Sequence, residues 1–328
     1  MIVRLSLTLP ALALAALALS AAAPLDAAQV FEPGVISGPQ NDFAPAFDPH
    51  APLLLFARGD GGRSSILVSR RVDGRWTKPK TVAFSGAWID LEPSWSPDGS
   101  FVVFASNRPH DGGARALTAH YYGREQSGGA LWRVDYVAGR WSAPRRLAEA
   151  INRGGSVWTP TIAGNGELYY MTTDAGTGRF RLYRAEHAYD AHARPHELAF
   201  STGAHNDVDP FIAPDQSRLI FSSDRGQAAP AKNPGPERLF IAFHPRGKDP
   251  LVCPMRVEGF DDPALSMVEA RLSPDRRTLY FASRRVMHAD GETPKGAWDN
   301  GKANIWQTPF TPALWRFDGA SARCLRAR

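Results

Sequence analysis

Cysteine is scarce in this chain of 328 residues, which contains only Cys253 and Cys324. Two thiols are too few for a cysteine-rich zinc site. In an oxidising compartment they offer one possible disulfide, which would tie the C-terminal tail to the last third of the chain. Whether they pair depends on a distance that the sequence does not give.

Sequence motifs of familiar enzyme classes are absent as well. The chain contains no Gly-x-Ser-x-Gly elbow, no glycine-rich phosphate loop and no His-Glu-x-x-His pair. The net charge is +5, but the basic residues are scattered along the chain. A nucleic-acid footprint, which requires clustered basic residues, is therefore not indicated.

Long apolar runs are missing apart from one at the N-terminus. Arg4 precedes an apolar run over residues 5–19, which is followed by small residues at 20–24. A positive start, a short apolar middle and a small-residue end predict a secretory signal peptide at residues 1–23. The run is shorter than the roughly 20 apolar residues of a membrane helix. We therefore expect a periplasmic or secreted protein with no membrane span after signal cleavage.

What the chain does contain is a hairpin pattern that occurs five times. Residues 92–106, EPSWSPDGSFVVFAS, place a Pro-Asp-Gly turn between two apolar segments. These three residue types suit successive positions of a tight turn, and the flanking β-branched and aromatic residues favour strands over a helix. The other copies lie at residues 44–56, 159–171, 209–221 and 269–281.

Repeats of this kind, each with several strands, are typical of propeller blades. We predict an all-β fold, a five-bladed β-propeller over residues 29–310, followed by a C-terminal tail at 311–328. A strand within residues 29–37 would complete the last blade and close the ring, which removes two open sheet edges. Six blades are the alternative if the tail forms part of a blade.

The best-formed copy also resembles a known repeat. Pro93-x-Trp95-Ser96-Pro97-Asp98-Gly99, followed by an aromatic-rich strand and Ser-Asn-Arg at 106–108, resembles the TolB-like (WD-repeat-like) propeller repeat of exported bacterial proteins. The resemblance covers roughly residues 29–310. It implies a β-propeller in the bacterial envelope and is weak for function, because one fold hosts many activities.

Acidic residues lie where the first strand begins in every copy except the third, which offers Ser156, Val157, Trp158 and Thr159 instead. Arginines are frequent where the second strand ends. A hairpin returns the chain to its starting end, so both groups belong at one mouth of the central channel. The candidate binding residues are Asp42, Asp90, Glu92, Trp158, Asp207, Asp209, Glu269, Arg108, Arg225 and Arg285.

Two interpretations of the acids stay open. Each acid either pairs with a neighbouring arginine and holds the blades together, or joins a ring of carboxylates that attracts a cation or a basic ligand. We expect no cofactor and no metal. The one alternative is Ca²⁺, since Asp207 and Asp209 offer the oxygen ligands that it prefers.

Insertions between second and third strands, at residues 109–129, 226–237 and 286–302, belong to the same face and carry aromatic and polar side chains. Long loops on a rigid scaffold are common recognition surfaces. The leading hypothesis is an exported, non-enzymatic protein-interaction or binding module that recognises a protein, peptide or glycan ligand at this mouth.

Two other functions remain open. One is a carbohydrate-active hydrolase or lyase with Glu92, Asp209 and Glu269 as catalytic carboxylates, for which a pair about 5 to 10 Å apart in an open pocket would be support. The other is a periplasmic sensor or assembly factor with a plugged channel and an apolar loop surface.

Overall fold

The computed structural model describes residues 28–60, 62–226, 236–243, 252–258, 266–284, 301–310 and 316–317. Within these ranges there are 25 strands and no helix, and so no helix that could cross a membrane. The predicted signal peptide and Cys324 lie outside the described residues.

The strands form five antiparallel sheets, each built around one of the predicted hairpins. Blade I contains β2 (Asn41–Phe47), β3 (Leu53–Asp60), β4 (Arg63–Val72), β5 (Arg75–Trp76) and β6 (Lys80–Thr81). Blade II contains β7 (Asp90–Trp95), β8 (Phe101–Ser106), β11 (Ala130–Val137), β12 (Arg140–Trp141) and β13 (Arg145–Arg146). An additional hairpin, β9 (Thr118–Tyr121) and β10 (Arg124–Ser127), lies between β8 and β11.

The remaining blades repeat the arrangement. Blade III contains β14 (Val157–Ile162), β15 (Leu168–Thr173), β16 (Phe180–Glu186) and β17 (Arg194–Glu197). Blade IV contains β18 (Asp207–Ile212), β19 (Arg218–Ser223), β20 (Arg238–Phe243), β21 (Val252–Glu258) and β25 (Arg316–Phe317). Blade V contains β22 (Val268–Leu272), β23 (Thr278–Ser283), β24 (Asn304–Pro309) and β1 (Gln29–Val30).

The blades form a closed ring. The first strands contact one another in circular order, β2 to β7, β14, β18, β22 and back to β2. The N-terminal strand β1 pairs with β24, with Gln29 opposite Gln307 and Val30 opposite Trp306. The prediction of a five-bladed propeller closed by an N-terminal strand is therefore confirmed. Of the tail, β25 pairs with β21 as an outer strand of blade IV rather than starting a sixth blade.

A side chain of the repeat accepts backbone hydrogen bonds in each hairpin turn, an aspartate in four blades and Asn165 in blade III. In blade II, Asp98 Oδ1 accepts hydrogen bonds from Ser96 Oγ at 2.6 Å and from the Ser100 amide at 3.1 Å. These bonds lower the pKa of Asp98 to about 2. Gly99 adopts a φ of +70°, which a residue without Cβ reaches at no steric cost.

The core lies between the blades. Four aromatic residues lie inside the second strands and are each 0% exposed: Phe56, Phe104, Phe221 and Phe281. Full burial of such a side chain stabilises the fold by about 1.5 to 3 kcal/mol.

A β-bulge interrupts every first strand at the same place, and this irregularity sets the geometry of the channel. The residue at each bulge has a positive φ of between 47° and 57°. Non-glycine residues seldom adopt this conformation, and a bulge redirects the side chain of its strand. The five bulge residues are Ala44, Glu92, Thr159, Asp209 and Glu269.

Candidate functional site

Three of the five bulge residues bring carboxyl groups together in the channel. Glu92 of blade II, Asp209 of blade IV and Glu269 of blade V each place one carboxylate oxygen within 4.8 Å of the other two. The residues are only 6%, 6% and 7% exposed. We call these three residues the inner acids.

Hydrogen bonds to neighbouring bulge residues hold the inner acids in place. The Thr159 amide donates to Glu92 Oε2 at 2.5 Å, and the Ala44 amide donates to Glu269 Oε2 at 2.7 Å. Thr159 Oγ1 also donates to Asp209 Oδ1 at 3.0 Å. Because Thr159 and Ala44 belong to blades III and I, each bond joins two adjacent blades at the channel.

Burial shifts the titration of all three inner acids upward. It raises the pKa of Glu92 to about 8, with a further contribution from the charge of Asp209. It raises the pKa of Asp209 to about 6, against the hydrogen bond from Thr159. Burial and the charges of the other two acids raise the pKa of Glu269 well above its usual range. As the pH rises, Asp209 therefore ionises before Glu92.

Arg271 supplies the positive charge next to this cluster. It lies two residues after Glu269, is 4% exposed, and donates from Nη1 to the Ala270 carbonyl at 2.9 Å. Its Nη2 has no hydrogen-bond partner among the described residues. The guanidinium opposes the upward pKa shifts of all three acids, while burial lowers its own pKa.

A second set of acids, the outer acids Asp42, Asp90 and Asp207, is paired with arginines instead. The side chains of all three are 0% exposed, and they form salt bridges with Arg58, Arg108 and Arg225 at 2.5, 2.6 and 2.6 Å. Each arginine also donates to a backbone carbonyl of the segment that precedes its blade, those of Ile36, Phe84 and Phe200. This arrangement ties the incoming chain to the hairpin of the blade.

The two remaining candidates from the sequence are Trp158 and Arg285. Trp158 is 7% exposed, and its ring lies so close to Gly129 that a Cβ there would meet the ring at 2.6 Å. Its Nε1 donates to Ser156 Oγ at 3.3 Å. Arg285 lies outside the described residues.

The hairpin β9–β10 covers the channel mouth on the side of blades II to IV. Tyr122 donates through its hydroxyl to Asn206 Oδ1 at 2.8 Å, and the Tyr121 ring packs edge-on against Phe180 with centroids 5.4 Å apart. Burial and then the charge of Glu92 raise the pKa of Tyr121. This insertion was predicted on the mouth face, whereas most of the other two lies outside the described residues.

On the opposite side of the mouth, between blades V and I, lies a cavity of about 600 Å³. Glu269 of the inner acids contributes to its wall, together with Phe43 and Ser64. The charged residues Asp60, Arg63 and Arg284 also line it. We call this space the mouth cavity. A smaller cavity of about 160 Å³ lies at the other end of the channel.

Two residues of this region, Arg271 and Glu237, are not among the candidates from the sequence. Arg271 replaces the small or apolar residues Ala46, Ser94, Thr161 and Phe211 of the other copies, so a repeat alignment contains the signal. Glu237 accepts hydrogen bonds from Ser266 Oγ at 2.5 Å and from Asn206 Nδ2 at 3.5 Å. Glu237 precedes a third strand rather than a first strand, and no repeat pattern marks it.

Comparison with known proteins supports the fold. No protein-family model matches the chain, and no curated protein matches it. A thermostable family-43 glycoside hydrolase is similar with a TM-score of 0.52 and 12% identity, over 88% of this chain and 96% of that one. A protein of unknown function from Dyadobacter fermentans has a TM-score of 0.51 and 14% identity, over 86% and 97% of the two chains.

TolB from Acinetobacter baumannii is similar with a TM-score of 0.47 and 13% identity over 83% of this chain. The chain spans 55% of the length of that TolB. At these identities the similarities show a β-propeller fold and nothing more. The prediction of a propeller is thus confirmed, and membership of the TolB-like family is not shown.

Proposed function

We propose that this protein is a binding module that takes a ligand into the mouth cavity between blades V and I. The observation that carries the proposal is a difference between the two sides of the channel mouth, as the described residues form them. The β9–β10 hairpin covers the side of blades II to IV, whereas a cavity of about 600 Å³ reaches Glu269 on the other side. That volume lies within the range of about 300 to 1,000 Å³ that ligand pockets occupy.

The outer acids serve as scaffold in this proposal. Salt bridges within the blades neutralise the charges of these acids. The outer acids are therefore poorly suited to bind a charged ligand. The inner acids form the buried floor of the mouth, and Glu269 is the one that the ligand approaches. The predicted signal peptide adds that this recognition takes place in the bacterial envelope or outside the cell.

A cavity-filling substitution tests the proposal. Ala303 lines the mouth cavity, so Ala303→Trp should block it, while Ala143→Trp on the exposed edge of blade II is the matched control. Peptides, neutral glycans and acidic glycans are screened against the full chain by thermal shift and then calorimetry. We expect at least one ligand whose affinity falls about tenfold or more, or about 1.4 kcal/mol, in Ala303→Trp alone. The proposal fails if no ligand binds, or if every ligand binds both variants equally.

A carbohydrate-active hydrolase or lyase is the second candidate, and the inner acids favour it specifically. Paired carboxyl groups about 5 Å apart suit a retaining glycosidase, and environments that separate the pKa values of two carboxyls assign an acid and a base. Glu92 would be the proton donor, and Asp209 the nucleophile or base. A turnover screen over neutral and acidic glycans tests this function, with Glu92→Gln as the inactive control. The hydrolase candidate is abandoned if no glycan is cleaved or if Glu92→Gln is equally active.

A further inference from the structure

We infer that the mouth cavity selects an anionic saccharide, a short chain of sugar rings that carries carboxylate or phosphate groups. This inference rests on the proposed function, because it names the ligand class for the same cavity. Three features of the cavity lead to it: the charge of its rim, its hydrogen-bonding groups and the aromatic ring in its wall.

The rim of the mouth cavity carries two arginines that are not ion-paired with any described residue. Arg63 and Arg284 are exposed, and neither forms an ion pair in the described part of the chain. Among the described residues of the rim, the acid is Asp60, which lies 3.8 Å from Lys302 Nζ; this contact offsets its charge. Arginine presents a planar fork of donors that matches a carboxylate or a phosphate. The rim therefore favours an anionic group on the ligand.

The inner wall of the cavity presents groups suited to sugar hydroxyls. Ser64 is 6% exposed, and its Oγ has no hydrogen-bond partner among the described residues. Asn41 accepts the Ala303 amide at Oδ1 at 2.9 Å, which leaves its NH₂ group as a donor. A buried hydroxyl without a partner costs about 1 to 3 kcal/mol. A ligand hydroxyl that reaches Ser64 would remove that cost.

Phe43 supplies an apolar surface in the same wall, half-buried and next to Gly59. A Cβ at Gly59 would meet the Phe43 ring at 3.4 Å, so the backbone of Gly59 lies close to this ring. The apolar C–H face of a sugar can pack against the ring while its hydroxyls turn to Ser64 and Asn41. A peptide would instead need apolar pockets for its side chains, and Phe43 is the only large aromatic residue in the described lining of the mouth cavity.

Calorimetry with three probes tests the inference on the full chain. The probes are a uronic-acid trisaccharide, its methyl ester, which is neutral, and a phosphorylated maltotriose. We expect an anionic trisaccharide to bind about tenfold more tightly than the ester, a difference of about 1.4 kcal/mol. The tighter of the two anionic probes identifies the anion. The preference should weaken as salt is added, because screening acts on exposed charges.

Two double variants separate the cavity from the rest of the surface. Arg63→Gln with Arg284→Gln should remove the preference for the anionic probe, whereas Arg75→Gln with Arg140→Gln, at exposed corners of blades I and II, should leave it unchanged. The inference is overturned if the ester binds as tightly as both anionic probes, if the first double variant keeps the preference, or if no trisaccharide binds. A neutral glycan or a peptide that Ala303→Trp displaces would overturn this inference and still support the proposed function.

Discussion

In blades II and IV, an outer and an inner acid lie only two residues apart in the chain but have different environments in the same channel mouth. Asp90 is an outer acid, fully buried and salt-bridged to Arg108, whereas Glu92 is an inner acid with a pKa of about 8. In a regular strand these residues would share one face, but the bulge between Leu91 and Ser94 separates them. The comparison teaches that the backbone irregularity, and not the residue type, decides which acid is paired and which holds a proton.

The difference has a physical consequence for how each set stabilises the ring. An outer acid lies against an arginine and several hydrogen-bond donors, which replace the water that burial removes. An inner acid lies near other acids with one arginine nearby, and it avoids the cost of a buried charge by taking up a proton. The outer set should therefore respond most to loss of a partner, and the inner set to pH.

Removal of an outer arginine should have the largest effect. Arg108→Ala leaves the fully buried Asp90 carboxylate without its partner, and breaking a buried pair in this way costs about 3 to 5 kcal/mol. Arg145→Ala removes one exposed partner of Asp135 and should cost less than about 1 kcal/mol. Denaturant unfolding measures both. Equal losses in the two variants would refute the contrast between the buried and the exposed pair.

Substitution of an inner acid should change the pH dependence of stability. The folded pKa of Glu92, about 8, lies above its ordinary value of 4.5. Its contribution to stability is therefore complete below about pH 4.5 and is lost as the pH rises toward 8. We expect the free energy of unfolding of the unsubstituted protein to fall between pH 5 and pH 8 by about 2 to 3 kcal/mol more than that of Glu92→Gln.

Denaturant unfolding of both proteins at several pH values in this range measures that difference. Glu197→Gln, on the exposed edge strand β17, is the control and should follow the unsubstituted protein. Parallel pH profiles for the unsubstituted protein and Glu92→Gln would show that Glu92 is ionised throughout.

Release of the β9–β10 hairpin should have the smallest effect. Tyr122→Phe removes the hydrogen bond to Asn206, worth about 1 kcal/mol. Amide exchange at residues 118–127 of the hairpin should therefore accelerate. The amides of the first strands, which carry the outer acids, should keep their protection. Tyr183→Phe, which removes an exposed hydroxyl bond to Glu197, is the control. Unchanged exchange in the hairpin would show that this bond does not hold it in place.

The fold could be predicted from the sequence because it depends on a local signal that is repeated. Each turn, such as Ser96-Pro97-Asp98-Gly99, specifies a hairpin within about a dozen residues, and five copies leave few ways to arrange them. The closing strand Gln29–Val30 was predictable for the same reason, since the last hairpin otherwise has an unpaired edge.

The site could be predicted only in outline. Glu92, Asp209 and Glu269 were among ten candidates, but their separation from the outer acids depends on bulges at residues with positive φ. Four of the five bulge residues precede a proline, and Glu269 precedes Ala270. The residue before a proline favours an extended conformation, so this pattern does not predict a left-handed one. Arg271 acts across the ring on acids from blades II and IV, and such contacts appear only once the ring is closed.

Infrared spectroscopy of the carboxyl groups tests the central claim most directly. A protonated carboxyl has a carbonyl stretch distinct from that of a carboxylate, so the two forms can be told apart at neutral pH. We predict that the band of protonated carboxyls is present at pH 7, weakens in Glu92→Gln and in Glu269→Gln, and is unchanged in Asp90→Asn. Absence of the band at pH 7, or a band that neither glutamate substitution weakens, would contradict the proton-holding cluster at the channel mouth.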